Sequence, residues 1–132
     1  MKSELVWLTW STILTGLIWL PYVGDRMMVR GLLDTVGYPQ MPKEQNAWAS
    51  RMKAAHLNAI ENLVVFSTLV LVANAAGISN AATTFAAAFY FWSRAIHLVA
   101  YTLAWPWVRT LGFAGGFVAQ ALFAWQIVEH SI

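Results

Sequence analysis

The sequence contains no cysteine, which excludes disulfides, thiolate metal sites and a cysteine nucleophile belonging to the chain itself. Charge is also scarce. The 8 Lys and Arg and 6 Asp and Glu make up 11% of the chain, where soluble domains average about 25%. The basic residues are dispersed, so a formal net charge of +2 does not build a nucleic-acid surface, and no nucleic-acid partner is expected. Internal repeats and low-complexity tracts are missing as well. What is present is apolar: 59% of residues are hydrophobic, and Asn62 to Ser93 run for 32 positions without Lys, Arg, Asp or Glu. That exceeds the roughly 18 apolar residues that signal a membrane span. The chain is expected to sit in a bilayer, in contact with membrane lipids.

At about 20 residues per span, 132 residues hold four helices and leave no room for an extramembrane domain. The first span is expected over Leu5 to Val23, uncharged for 19 residues and ended near Pro21 and Gly24. Lys2 precedes it, but Glu4 interrupts the basic start and no small-x-small cleavage site follows, so it reads as a span rather than a signal peptide. Asp25 to Asn46 is polar, and Gly31, Gly37, Pro39 and Pro42 are expected to break it into a loop. The second span covers 46–76, about 45 Å of helix, so its first turns must project or tilt. The third covers 81–105 and is ended by Pro106; the fourth covers 108–128. Short links make neighbours antiparallel, giving an all-α, up-down four-helix bundle as a single domain over 1–132. Arg26, Arg30, Lys43, Arg51, Lys53 and Arg109 fall on one side and only Lys2 on the other, so both termini are expected to face away from the cytoplasm.

Polar residues inside spans carry the functional signal, because a lipid-facing charge costs a few kcal/mol. In the second span Arg51, Asn58, Glu61 and Asn62 fall within a stripe of about 100°, while His56 points elsewhere and suits a structural hydrogen bond. In the third, Tyr90, Arg94, His97 and Tyr101 share one face. Arg94 needs an anionic partner, and Glu61, the one carboxylate deep in the apolar region, is the expected one. These groups read either as glue between helices or as a pocket for a charged ligand. In the fourth span Arg109 shares a face with Gly112, Phe113, Gly116 and Gln120, and Gly112 to Gly116 has the GxxxG spacing that lets backbones approach closely. Arg109 serves either as an orientation anchor or as a guanidinium that stabilises a developing anion.

The string from Arg51 through His56, Asn58 and Glu61 to Asn62, then Ser93-Arg94 through His97 to Tyr101, then Arg109-Thr110, resembles the MAPEG family, membrane-associated proteins in eicosanoid and glutathione metabolism. The resemblance covers residues 5 to 128 and suggests a bacterial-type member in an inner membrane. It implies a homotrimer with glutathione as co-substrate, held between subunits near the cytoplasmic face. Carried over, Arg51, Asn58, Glu61, Arg94 and Tyr101 would line the glutathione site. Arg109 would stabilise its thiolate, with Thr110 beside it where some members have serine. Ala54 stands where eicosanoid-producing members often carry arginine, and Phe113 where some have tyrosine. The implied activity is a glutathione-dependent transferase or peroxidase acting on a lipophilic electrophile or hydroperoxide; the alternative is a non-catalytic binding or scaffold protein of the same fold. In the transferase or peroxidase the nucleophilic thiol would come from outside a chain that has none of its own.

Overall fold

The computed structural model describes residues 1–132 and is entirely helical, in the order α1 (Ser3–Leu17), α2 (Trp19–Val36), α3 (Ala47–Ala75), α4 (Ala81–Thr102) and α5 (Pro106–Ser131). Ile18 between α1 and α2 keeps helical angles, so the two form one rod and the molecule is built of four rods. Three of these, Ser3–Val36, α3 and α5, are long and apolar enough to cross a membrane. The fourth, α4, has 22 residues, about 33 Å at 1.5 Å per residue. Its polar residues lower its hydropathy, and many of them are buried against the other rods.

Helix boundaries differ from the sequence reading at the ends of α2 and α4, and in α5, which runs from Pro106 to Ser131 rather than over 108–128. The segment after Val23 is not loop from Asp25 onward: α2 continues to Val36, interrupted only at Gly31, whose φ of 78° and ψ of 166° break the helical path. Tertiary bonds hold this extension. Asp25 accepts from the backbone N–H of Asn46 at 3.2 Å and from Gln45 Nε2 at 3.2 Å, while Gln45 also donates to the Tyr22 carbonyl at 2.7 Å. α4 in turn ends at Thr102, three residues before the expected Trp105. There the Trp105 N–H returns to Ala100 O at 2.8 Å and the Ala104 N–H to Tyr101 O at 3.3 Å, with Ala104 at φ 59°. This is a Schellman closure with alanine in the place glycine usually takes. The α3 terminus closes the same way with the usual residue: Gly77 has φ 73° and the Ile78 N–H reaches Ala73 O at 2.8 Å.

The start of α4 is fixed by a capping box, in which Asn80 Oδ1 accepts from the Thr83 N–H at 3.0 Å and Thr83 Oγ1 accepts from the Asn80 N–H at 2.9 Å. Glu4 of α1 reaches the same turn. Its carboxylate accepts from Thr83 Oγ1 at 2.6 Å and Ser79 Oγ at 2.9 Å and is 4% exposed, a buried acid at a helix N-terminus, where the dipole favours it. Above it lies an aromatic core in which Phe66 stacks on Tyr90 at 3.7 Å and meets Phe123 edge-on at 5.8 Å. The most extensive helix pair is α4 with α5. A Cβ at Gly112 would lie 2.9 Å from the His97 nitrogen and one at Gly116 3.1 Å from Arg94 Cδ, so the GxxxG edge is where α5 lies against α4.

Candidate functional site

The residues singled out in the sequence divide into three places. Arg51, Tyr101 and Arg109 come together. They line a cavity of about 180 Å³ with Ala104, Trp105 and Pro106, at the end of the bundle where α3 begins and α4 passes into α5. Arg51 is held there by its Nε–H, which donates to the Thr102 carbonyl at 2.9 Å. The Arg109 guanidinium lies 5.0 Å from the centre of the Tyr101 ring, within cation–π range. Local structure explains the convergence. Pro106 opens α5 with its fixed φ, and the tight closure at Ala104 turns the chain so that Tyr101, in the last turn of α4, and Arg109, in the first turn of α5, face each other. Two guanidiniums around one small cavity offer the charge and the donors that an anion requires.

Asn58 and Arg94 form a second, deeper cluster. Arg94 is 6% exposed and donates through Nη2 to Asn58 Oδ1, while its Nε and Nη1 have no hydrogen-bond partner. Asn62 Nδ2 donates to the Asn58 carbonyl at 2.9 Å, and Gln120 Nε2 donates to the Asn62 carbonyl at 3.2 Å. A polar chain thus crosses from α5 through α3 to α4. The space beside Arg94 is only about 10 Å³, enough for about one water.

The expected pairing of Arg94 with Glu61 is not formed. Glu61 is exposed on α3 and receives no hydrogen bond within the protomer; Asn58 takes its place. The reason is angular. Glu61 lies about 60° from Asn58 and about 100° from Asn62 around the helix. Once Asn58 and Asn62 turn toward α4 and α5, Glu61 is carried onto an outer face. Thr110 also lies outside the cavity, exposed, with its hydroxyl donated to the Pro106 carbonyl at 2.9 Å.

His56 has the structural bond expected of it, and its partner is Tyr22, whose hydroxyl lies 2.7 Å from Nδ1. Three contributors were not legible in the sequence as site or core groups: Glu4 as a buried acid, Tyr22 as the partner of His56, and Trp105 as a wall. Trp105 also borders an apolar groove of about 500 Å³ with Trp92, Ala95, Ile96, Val99 and Val108. An exposed apolar groove and a cationic cavity therefore meet at one indole.

The family model for the MAPEG family matches residues 6–128, nearly the whole length, and the chain belongs to that family. The family includes glutathione transferases and peroxidases as well as non-catalytic members. No curated protein and no solved structure matches the chain.

Proposed function

We propose that the protein is a membrane-bound glutathione-dependent transferase or peroxidase, working as a homotrimer, that presents a glutathione thiolate to a lipophilic electrophile or hydroperoxide from the bilayer. The observation that carries this reading is the cavity in which Arg51, Tyr101 and Arg109 converge beside an apolar groove that shares Trp105. A thiolate near Arg109 would sit opposite a guanidinium held over an aromatic ring at 5.0 Å, and the groove would supply the apolar reactant. Lowering a thiol from about 8.5 to about 7 requires only about 2 kcal/mol, well within what one fixed cation supplies. The cavity of about 180 Å³ is small for a whole tripeptide. We assign the remainder of the tripeptide to the seam with a neighbouring protomer, where the outward-facing Glu61 would meet its ammonium group. Asn58 and Arg94 support α3 behind that face, and Thr110 has no direct role.

The second reading, a non-catalytic binding or scaffold protein, draws on Ala54 and on the engagement of Arg94 with Asn58. One experiment separates the two. Glutathione is titrated into detergent-purified protein near neutral pH, while binding heat and thiolate ultraviolet absorbance are recorded. We expect both signals in the parent, and loss of the thiolate absorbance in Arg109→Lys and Arg109→Ala with assembly intact, because lysine does not reproduce a planar, fixed guanidinium. Unchanged absorbance in both variants removes the catalytic role of Arg109. Binding heat without any thiolate signal in the parent establishes the scaffold reading instead.

A further inference from the structure

The first rod and α3 are both longer than a bilayer requires, and their surplus emerges on the same side. Up to the break at Gly31 the first rod, from Ser3 to Arg30, rises about 42 Å and the 29-residue α3 about 44 Å, against a hydrocarbon core of about 30 Å. At the opposite end they are level, because Glu4 at the start of the first rod accepts a hydrogen bond from Ser79, just past the end of α3. The part of α2 that leads up to Arg30 and the first turns of α3 therefore protrude together. Between them lies an open basin of about 780 Å³ whose lining includes four cations, Arg26, Arg30, Arg51 and Lys53, and one carboxylate, Glu44. Arg26 and Arg30 are each anchored by one edge only. Arg26 Nε donates to Gln45 Oε1 at 3.2 Å and Arg30 Nε to the Lys43 carbonyl at 2.7 Å, so the terminal nitrogens of both have no partner in the protein. A guanidinium fixed at Nε with its fork open is arranged for a phosphate or carboxylate.

A separate observation says what carries that anion. Beside the basin, the segment around and beyond the break at Gly31 exposes Met28, Leu32, Leu33, Val36, Tyr38 and Met41, each between 60% and 101% accessible. In water this much apolar area is unfavourable at about 25 cal/mol per Å²; seated at a membrane interface it becomes an anchor. Cations level with apolar side chains that enter a leaflet match an amphiphile rather than a free solute.

We propose that the basin binds the phosphate headgroup of an anionic phospholipid of the leaflet into which residues 28–41 are seated, with Arg26, Arg30 and Lys53 as the principal contacts. The site is independent of the thiolate chemistry proposed above and shares only Arg51 with that cavity.

The test uses the full chain in mild detergent, incubated with phosphatidylglycerol or phosphatidylcholine and examined by native mass spectrometry. We expect phosphatidylglycerol to be retained at least tenfold more tightly than phosphatidylcholine. Each surface cation contributes about 1 kcal/mol to anionic-lipid binding, about fivefold. The combined Arg26→Gln, Arg30→Gln and Lys53→Gln variant should therefore lose on the order of a hundredfold, and Arg109→Ala nothing. Should the triple variant not fold, each single variant should still read about fivefold. Equal retention of the two lipids, or unchanged affinity in the folded variants, overturns the proposal. Displacement of phosphatidylglycerol by inorganic phosphate at equal concentration would make this a phosphate site indifferent to lipid. One-for-one displacement by glutathione would return the basin to the co-substrate. Either result also overturns the proposal, without bearing on thiolate formation at Arg109.

Discussion

At the scale of single residues, the buried guanidinium of Arg94 is the most demanding group in the molecule. It is 6% exposed and its one hydrogen bond goes to Asn58. A buried charge that loses its acceptor keeps its desolvation cost, so Asn58→Leu should lower stability by about 2 to 3 kcal/mol. Asn58→Asp places a carboxylate in the same position and should restore the parent's thermal midpoint or exceed it. Equal melting of all three proteins in detergent would show that Asn58 does not hold the guanidinium. Glu61→Gln, by contrast, should leave the melting of an isolated protomer unchanged, since Glu61 is exposed there and accepts no hydrogen bond. Arg94 and Glu61 were both identifiable in the sequence as unusual for a span. Their partners were not, because a stripe about 100° wide does not say which of its edges faces inward.

At the scale of helices, the seam between α4 and α5 depends on what is missing from it. A Cβ at Gly112 would fall 2.9 Å from the His97 nitrogen and 3.0 Å from the Ser93 carbonyl oxygen, both backbone atoms that cannot swing aside. Gly112→Ala should push the helices apart and cost about 1 to 3 kcal/mol. It should also disturb the thiolate signal, since Arg109 lies one turn away on the same helix. Gly16 in α1 has nothing within 4 Å of its virtual Cβ, so Gly16→Ala should be neutral or stabilising by up to about 1 kcal/mol through helix propensity alone. Thermal unfolding of the pair checks this; a Gly112→Ala protein that melts with the parent would mean the seam is looser than the distances imply. The GxxxG spacing was legible in the sequence, and its use for close approach is borne out. The end of α4 was not legible, because the residue at φ 59° is Ala104 and its sequence carries no glycine signal.

At the scale of the whole molecule, Glu61 sits midway along a 29-residue membrane helix, on an outer face. A carboxylate there is unfavourable against lipid and acceptable against protein, water or ligand. In the homotrimer proposed above a neighbouring protomer would cover it. Native mass spectrometry in mild detergent should show the trimer at micromolar protein, and Glu61→Leu should weaken or alter that assembly while α-helical content stays the same. A parent that is only monomeric would remove the seam and, with it, the intersubunit half of the proposed glutathione site.

What the sequence determined alone follows from quantities that need no third dimension. Long uncharged runs dictate membrane helices because the bilayer cannot solvate an open backbone, and the ordered polar strings in spans two to four were enough to identify the family, which the match over 6–128 establishes. The tertiary structure alone decided how those polar residues are shared out. It placed Arg51, Tyr101 and Arg109 around one cavity, gave Arg94 to Asn58, turned Glu61 outward, and carried the helix past Asp25, which bonds to Gln45 and Asn46. The physical reason is that helical periodicity fixes the angles between side chains on one rod but not the rotation of that rod against its neighbours. That rotation is set by contacts between distant residues, such as Gly112 against His97 and Gln120 against Asn62.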